Sequence, residues 1–177
     1  MDKVILGFLL IRSLTQYDLL QALQKKVSPF YKASLGSIQH ALKALLEKGY
    51  ITSERIENDP RKKSLYQVTA QGKQYFENWM FEAIDENKLE AQLSIKLFFM
   101  GHLTQANRLT VIDQIILCLE KLVNDYQVEK KHYDTLSWNE PLKDIVHYQL
   151  KTLDLGYSHH LSALNWFKEL RLQGESK

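Results

Sequence analysis

The sequence predicts a mainly α-helical protein with one small β-hairpin, an α+β fold in two parts. Apolar residues recur at spacings of three and four through most of the 177 residues, as in amphipathic helices. Two strand-like segments, residues 50–56 and 63–68, flank a turn at Asn58-Asp59-Pro60-Arg61. We therefore expect an N-terminal domain over residues 1–86 and an all-helical C-terminal domain over residues 87–177.

Composition, the longest apolar run and the single cysteine narrow the class of protein. A content of 45% hydrophobic and 25% charged residues is ordinary for a folded soluble chain. Residues 4–11 are too few to cross a bilayer, and Lys3 is the only basic residue before them, so we expect no signal peptide. Because Cys118 is the only cysteine, an intrachain disulfide or a thiolate metal cluster is excluded. We expect a cytoplasmic protein with no membrane contact, no metal and no other cofactor.

Two helices are predicted before residue 28. Residues 4–11 are apolar on nearly every side, which indicates a helix buried all round. Residues 15–18, Thr-Gln-Tyr-Asp, have the spacing of a capping box and start the second helix. The apolar and aromatic residues expected to point inward from this helix are Tyr17, Leu19, Leu20 and Leu23. Pro29 ends the helix or the loop after it.

A third helix is predicted between a serine cap and a glycine stop. Ser34 is a plausible N-cap, and Gly49 suits the left-handed residue that follows a helix. Its apolar face is formed by Ile38, Ala41, Leu42, Leu45 and Leu46. The other face carries Gln39, His40 and Lys43, with Ser34, Gly36 and Ser37 at the start of the helix.

The hairpin that follows this helix has a basic tip, Arg61-Lys62-Lys63. A helix with polar residues at its start and a basic hairpin beside it suit a duplex, because the helix can lie in a major groove while the cations meet phosphates. The sequence therefore predicts a winged helix-turn-helix domain over residues 1–86.

Charge is distributed unevenly along the chain. Residues 1–73 hold twelve Lys or Arg against six Asp or Glu, a net charge of +6, whereas the remaining residues carry a net charge of −4. The excess favours an anionic partner for the first half. The alternative is that surface lysines only aid solubility.

The remaining chain reads as helices. Thr69 caps a fourth helix that carries Trp79, a fifth covers residues 89–103, and Pro141 lies at or near the start of the last. Spacings of three and four join two further sets: Leu109, Ile112, Ile116, Leu119, Val123 and Tyr126, then Leu150, Leu153, Tyr157, His160, Leu164 and Phe167. We expect the surplus apolar surface to pack against a second copy of the chain, giving a homodimer through the C-terminal helices. A helical hairpin that packs only within one chain is the alternative.

Taken together, these segments resemble the PadR-like transcriptional regulators over most of the chain. Ile-Leu-Gly-Phe-Leu at 5–9 looks like the opening helix of the family, and Tyr-Asp-Leu at 17–19 like its aromatic-acid-leucine step. The segments similar to the recognition helix and wing of the family are 36–42, Leu45, 49–51, 61–63 and 66–72. Gly156-Tyr157 and Trp166 resemble the last helix of members that have a long C-terminal helical domain.

The resemblance implies a dimeric regulator, usually a repressor, that releases its double-stranded DNA operator when a small molecule or stress signal arrives. Some members bind phenolic acids between the two domains. Family members often carry Tyr-Pro where this chain has Gln39-His40, and His-Gly where it has Thr15-Gln16. The first difference falls on groove-facing positions, so the operator sequence does not follow from the resemblance.

Each candidate DNA contact also has a structural interpretation. Gln39 could read an adenine edge and His40 a base or phosphate, or both could be solvated surface. Lys43 is expected to contact phosphate, as are Arg61, Lys62 and Lys63. Tyr66 could contact phosphate or pack on the domain. Ser34 is expected to act first as a cap and second as a phosphate donor, and Ser37 lies beside it.

A small aromatic effector would need an aromatic wall. The residues that could supply one are Tyr17, Trp79, Phe99, Tyr148 and Trp166, although aromatic residues at helical spacing more often form the core. The alternative to a DNA-binding regulator is a winged-helix module for protein–protein assembly, in which the basic tip is incidental.

The sequence gives little support to an enzyme. Glu129 and His132 have the spacing of one half of a di-iron site, but such sites need a second copy and two more glutamates. His159 and His160 point about 100° apart on a helix, which disfavours a shared ion. No Ser-His-Asp order, phosphate loop or nucleophile elbow is present, and Cys118 is expected to be a small core residue.

Overall fold

A computed structural model describes residues 1–27, 34–56 and 63–175, which separate into two compact units, Met1–Thr104 and Gln105–Lys177. The first unit contains α1 (Asp2–Leu9), β1 (Leu14–Thr15), α2 (Gln16–Ala22), α3 (Leu35–Glu47), β2 (Ile51–Arg55), β3 (Ser64–Val68), α4 (Ala70–Met80) and α5 (Leu89–Phe99). The second contains α6 (Gln105–Asp134) and α7 (Glu140–Glu175). The predicted fold class, mainly helical with a small antiparallel sheet, is confirmed.

The sheet has three strands rather than the two of a simple hairpin. β3 pairs antiparallel with β2, from Ile51 opposite Val68 to Arg55 opposite Ser64. On its other side β3 pairs with β1, where Leu14 lies opposite Tyr66. β1 was not predicted because a strand of two residues is too short to show alternation. The expected turn at 58–61 and the segment around Pro29 lie outside the described residues.

One residue of α2 points away from the predicted side. Leu19 and Leu23 are fully buried, whereas the Tyr17 side chain is 62% exposed. The prediction that Tyr17 points inward is therefore wrong. The reason is geometric, since residues two apart on a helix point about 200° away from each other.

The connection from α3 through β2 to α4 is closely packed around two glycines. Gly49 has φ +69°, the left-handed conformation predicted for the residue after the helix. A Cβ built on Gly72 would lie only 2.0 Å from the carbonyl oxygen of Tyr50, so a side chain has no room there. Thr69 caps α4 as predicted, because its hydroxyl accepts from Gly72 N at 3.1 Å and donates to Gly49 O at 2.8 Å. The start of α4 is thus fixed against the end of α3.

α5 is part of the core of the first unit. The Phe99 ring contacts those of Phe8 and Phe76 at centroid distances of 5.3 and 5.8 Å. A Cβ on Gly7 would lie 2.6 Å from Phe99, so the glycine lets α1 and α5 approach closely. His102 Nε2 lies 3.1 Å from the carbonyl oxygen of Gly7. These contacts place residues 89–104 with the winged half, beyond the boundary at residue 86 expected from the sequence.

A lysine is buried between α4 and α5. The Lys96 side chain is 1% exposed, and its Nζ donates to the carbonyl oxygens of Met80 at 3.2 Å and Glu82 at 2.6 Å. Met80 is the last residue of α4, where four acceptors have no partner within the helix, and Glu82 follows just after the helix. Burial lowers the pKa of Lys96, and the nearby Glu82 opposes that shift.

In the second unit α6 and α7 run antiparallel. Gln105 Nε2 donates to Gly174 O at 2.9 Å, and Arg171 Nε lies 2.6 Å from Asp113 Oδ1. Farther along the pair Gly156 faces the Tyr126 ring, 2.7 Å from the position of a built Cβ. The buried seam contains Val111, Ile112, Ile115, Leu119, Val123, Val146, Leu164 and Phe167. On α6 Ile115 is fully buried in place of the predicted Ile116, which is half-buried.

Among the described residues, none of the helices combines the length and the apolar character needed to span a bilayer.

Candidate nucleic-acid interface

The start of α3 is held by a reciprocal serine cap. Ser34 Oγ accepts from Ser37 N at 3.1 Å, and Ser37 Oγ accepts from Ser34 N at 3.0 Å. Ser37 Oγ also donates to Ser34 O at 2.8 Å. Both hydroxyls therefore satisfy backbone groups of the helix first, and Ser34 is exposed while Ser37 is half-buried.

The outer face of α3 is polar and accessible. Gln39, His40 and Lys43 are exposed, while Ile38 and Leu45 on the opposite face are 0% and 1% exposed. Lys43 Nζ lies 3.9 Å from Glu47 Oε1, but both side chains are largely exposed. An ion pair of this kind contributes little in water, so Lys43 can exchange Glu47 for another anion at small cost.

A surface depression of about 250 Å³ joins α3 to the start of α2 and to the sheet. Its lining includes Gln39 and Lys43 from α3, Gln16 from α2 and Tyr66 from β3. A neighbouring cleft of about 410 Å³ is lined by Gln16 and Tyr66 again, together with Tyr17, Leu35 and Lys63. Because the two share Gln16 and Tyr66, they form one continuous surface, here called the α2–α3–β3 surface.

Tyr66 lies in the sheet and at the surface. It lies in the central strand, opposite Leu14 on one side and Ser53 on the other, and its side chain is half-buried. It also lines both depressions. Tyr66 is therefore held by the sheet and still presents part of its ring to the surface.

Of the three basic wing residues, Lys63 lies within the described residues. Its carbonyl oxygen accepts from Ile56 N at 3.0 Å, which continues the β2–β3 pairing toward the tip. The hydrogen bond from the Thr15 hydroxyl holds the pKa of Asp18 below its usual range, and Arg12 and Lys63 lower it further. Lys63 therefore lies near the start of α2. Arg61 and Lys62 lie outside the described residues.

Gln16 was missed as an interface residue by sequence reasoning. The capping box over residues 15–18 locates Gln16 in the first turn of α2, but that signal does not say what faces it. Its proximity to Tyr66 follows from the pairing of β1 with β3. That pairing has no signature in a two-residue strand.

The five aromatic residues considered for an effector site occupy different environments. In the first unit Trp79 and Phe99 are buried, each within 5.8 Å of the Phe76 ring, while Tyr17 is exposed. In the second unit Tyr148 and Trp166 are exposed on α7. They are separated by about 27 Å of helix at the usual rise per residue, too far to line one small pocket within a single helix.

Potential metal-ligating side chains are dispersed over residues 1–27, 34–56 and 63–175. In that part of the chain no three His, Cys, Asp or Glu side chains are grouped so that they could hold a metal ion. Glu129 and His132 are exposed on α6, and Cys118 is half-buried beside the α6–α7 seam.

Comparison with known proteins identifies the winged half of the chain. Residues 5–78 match the model of the Transcriptional regulator PadR-like family. No curated protein matches the chain significantly.

Three solved structures match the chain over nearly its full length. Bacillus subtilis PadR in complex with operator DNA is 22% identical, with a TM-score of 0.43 and coverage of 98% of both chains. A PadR-like transcriptional regulator from Bacillus cereus is 19% identical, with a TM-score of 0.41 and coverage of 99% of this chain and 98% of that one. The Vibrio cholerae virulence activator AphA is 20% identical, with a TM-score of 0.40 and the same coverage.

The family match extends from α1 into α4 and includes every residue of the α2–α3–β3 surface. Residues 5–78 of the chain thus match the Transcriptional regulator PadR-like family.

Proposed function

We propose that this chain is a sequence-specific DNA-binding regulator that acts as a homodimer and represses its target until a small molecule or stress signal releases it from its operator. The single observation that carries the proposal is the α2–α3–β3 surface, where the polar face of α3 lies beside Lys63 and Tyr66. The match of residues 5–78 to a family of transcriptional regulators supports it.

The chemistry of this surface suits a duplex. An exposed helix face can enter a major groove, where the amide of Gln39 can pair with an adenine edge and His40 can donate to a base or phosphate. Lys43 from α3 and Lys63 from the wing can meet phosphates on either side of the groove, and Ser34, Ser37 and Tyr66 add hydroxyl donors. Arg61 and Lys62 extend the basic wing in the sequence.

The homodimer is supported by an uncovered stripe on α7. Its members recur at alternating spacings of three and four: Ile145, Tyr148, Thr152, Leu155, His159, Ser162 and Trp166. Leu155 and Trp166 are 57% and 48% exposed. The stripe lies on roughly the opposite side of α7 from Val146, Leu164 and Phe167, which pack on α6. A second copy of α7 would cover it as in a coiled coil, and paired subunits would read two half-sites.

Release by a signal requires a ligand that binds the free regulator better than the DNA-bound one. A small aromatic molecule is the class that the family resemblance implies. Repression follows if the bound dimer blocks transcription from its operator.

A second function is favoured by two exposed leucines. Leu35 and Leu46, at the two ends of α3, are 49% and 37% exposed, and apolar surface of this kind can dock another protein. Apolar side chains can equally contact thymine methyl groups in a major groove. The salt dependence of the affinity separates the two functions. Binding to a duplex releases counterions condensed on its phosphates, so the affinity falls steeply as the salt concentration rises.

The test is the affinity for duplex DNA measured over a range of salt concentrations. We expect Lys43→Ala and Lys63→Ala each to weaken binding to all duplexes alike and to reduce the log–log salt slope by about one, because each removes one phosphate contact. Lys88→Ala, which removes a largely exposed lysine paired with Asp85, is the matched control and should leave the slope unchanged. Binding to duplexes that does not depend on salt would contradict the proposal.

A further inference from the structure

Two glutamine side chains from different helices line the same depression of the α2–α3–β3 surface. Gln16 is the first residue of α2, and Gln39 lies on the outer face of α3. Both border the depression of about 250 Å³, beside Lys43 and Tyr66. Both residues therefore border the same volume, beside the accessible face of α3.

The backbone that carries Gln16 is fixed on both sides. Immediately before it, Thr15 pairs with Leu65 in the sheet. Thr15 also closes the capping box of α2, in which its N donates to Asp18 Oδ2 at 3.1 Å and its Oγ1 accepts from Asp18 N at 3.2 Å. The backbone of Gln16 is thus fixed in position, whereas its side chain can still change rotamer.

Toward the residues that the structure describes, both amides keep their hydrogen-bonding capacity. Within the part of the chain that the structure describes, no hydrogen bond engages the side chain of Gln16 or Gln39. A carboxamide offers one carbonyl acceptor and two N–H donors. When one amide pairs with both N6 and N7 of an adenine, it still has one N–H left to donate.

We propose that Gln16 and Gln39 act as one unit that reads a single A·T base pair. Gln39 pairs with the adenine edge, and Gln16 accepts the remaining N–H of Gln39 while its own amide donates to a neighbouring phosphate. Gln16 is then a positioning residue, because it acts on the base through Gln39. This inference rests on the proposed function and specifies how its DNA contact is made.

The test is a double-mutant cycle on the full-length protein with Gln16→Ala, Gln39→Ala and the double variant. Duplexes enriched from a random pool by the wild-type protein are compared with the same duplexes carrying G·C at each position in turn. We expect Gln39→Ala to lose about tenfold of the preference for A·T at one position, the loss that follows from one bidentate pair. Gln16→Ala should lose preference at the same position, and the double variant should lose no more than Gln39→Ala alone.

Several outcomes would overturn the inference. If Gln16→Ala weakened all duplexes equally and kept the A·T preference, Gln16 would only touch phosphate. If the two losses were additive, or fell at different positions, the residues would act separately. Gln74→Ala, an exposed glutamine on α4 bonded to Asn78, is the matched control and should keep the wild-type preference. A wild-type protein without preference for any duplex would overturn the proposed function itself, whereas intact wild-type selectivity with an unaffected Gln16→Ala variant would overturn only the coupling.

Discussion

At the scale of single residues, Lys96 shows how a charged side chain can belong to the core. Its ammonium group donates hydrogen bonds to the carbonyl oxygens of Met80 and Glu82, at and just after the end of α4. Its Nζ also lies 5.6 Å from the centroid of the Trp79 ring, within the range of a cation–π contact. The desolvation of the ammonium opposes these contacts, as its lowered pKa indicates.

We predict that Lys96→Met lowers the free energy of unfolding by about 1–3 kcal/mol, because it leaves two carbonyl acceptors without a donor. Chemical denaturation of both proteins measures the difference. Lys88→Met is the control, since Lys88 is largely exposed and its replacement should change stability by less than about 0.5 kcal/mol. A Lys96→Met variant more stable than the wild type would mean that the cost of burying the charge exceeds the value of the hydrogen bonds.

The pH dependence of stability gives a separate signature of Lys96. Its pKa is lower in the folded state than in the unfolded chain, so at alkaline pH the unfolded chain binds more protons. The contribution of Lys96 to the free energy of unfolding therefore rises with pH between the folded pKa and the ordinary lysine pKa. We expect this rise in the wild type and its loss in Lys96→Met.

Local sequence patterns did not predict the burial of Lys96 or the exposure of Tyr17. Lys96 lies among apolar residues of α5, and a single lysine in such a pattern predicts a surface position. The carbonyl groups that it contacts belong to Met80 at the end of α4 and to Glu82 just after it. Their proximity to Lys96 arises only when the chain folds. Gln39, His40 and Lys43 were placed correctly on the exposed face because helical periodicity within α3 alone decides their direction.

At the scale of elements, the joint between β2 and α4 determines where the wing begins. Tyr50 O accepts from Thr69 N at 3.0 Å, and the α carbon of Gly72 lies against the same carbonyl. The Tyr50 and Tyr75 rings also stack at 4.3 Å between centroids. The start of α4 therefore cannot move without displacing the end of the β2–β3 ladder.

We predict that Gly72→Ala lowers the free energy of unfolding by about 1–3 kcal/mol, the usual cost of forcing an extra methyl group into a closely packed site. Gly36→Ala is the matched control because a Cβ there meets nothing within 4 Å. Since alanine favours a helix over glycine by roughly 0.5–1 kcal/mol, Gly36→Ala should be neutral or stabilising. Thermal unfolding measures both, and equal effects would refute the close packing at Gly72.

The elements also show why the site could be predicted only in part. The capping boxes, the glycine stop and the hairpin are local patterns, so α2, α3 and the β2–β3 pair follow from short stretches of sequence. The pairing of β1 with β3 joins residues about 50 positions apart, and that pairing brings Gln16 to Tyr66. Nothing in the local sequence of β1 encodes it.

At the scale of the whole molecule, the proposed dimer rests on the stripe that includes Leu155 and Trp166. The other face of α7 is already occupied by α6, through Leu164 and Phe167 and through ion pairs such as Lys168 with Glu120 at 2.6 Å. The α6–α7 pair is thus complete in itself, and the stripe adds exposed apolar side chains, such as Leu155 and Trp166, between polar ones. A coiled-coil contact between two copies would remove it from water.

We predict that Leu155→Glu shifts the protein from dimer to monomer at micromolar concentration. The change would put one negative charge from each subunit into the proposed contact between the two α7 stripes. Leu172→Glu is the control, since Leu172 is 64% exposed but lies outside the stripe. Sedimentation equilibrium measures both variants. A wild-type protein that is a folded monomer at this concentration would refute the dimer.

The most direct test of the central claim is the selection of bound duplexes from random DNA by the wild-type protein. A homodimer that places α3 in two major grooves should enrich a twofold-symmetric sequence whose half-sites are about one helical turn, or a multiple of it, apart. Gln39→Ala should enrich the same spacing with weaker preference at one base pair in each half-site. Enrichment of no sequence, or of a single site without symmetry, would contradict the account.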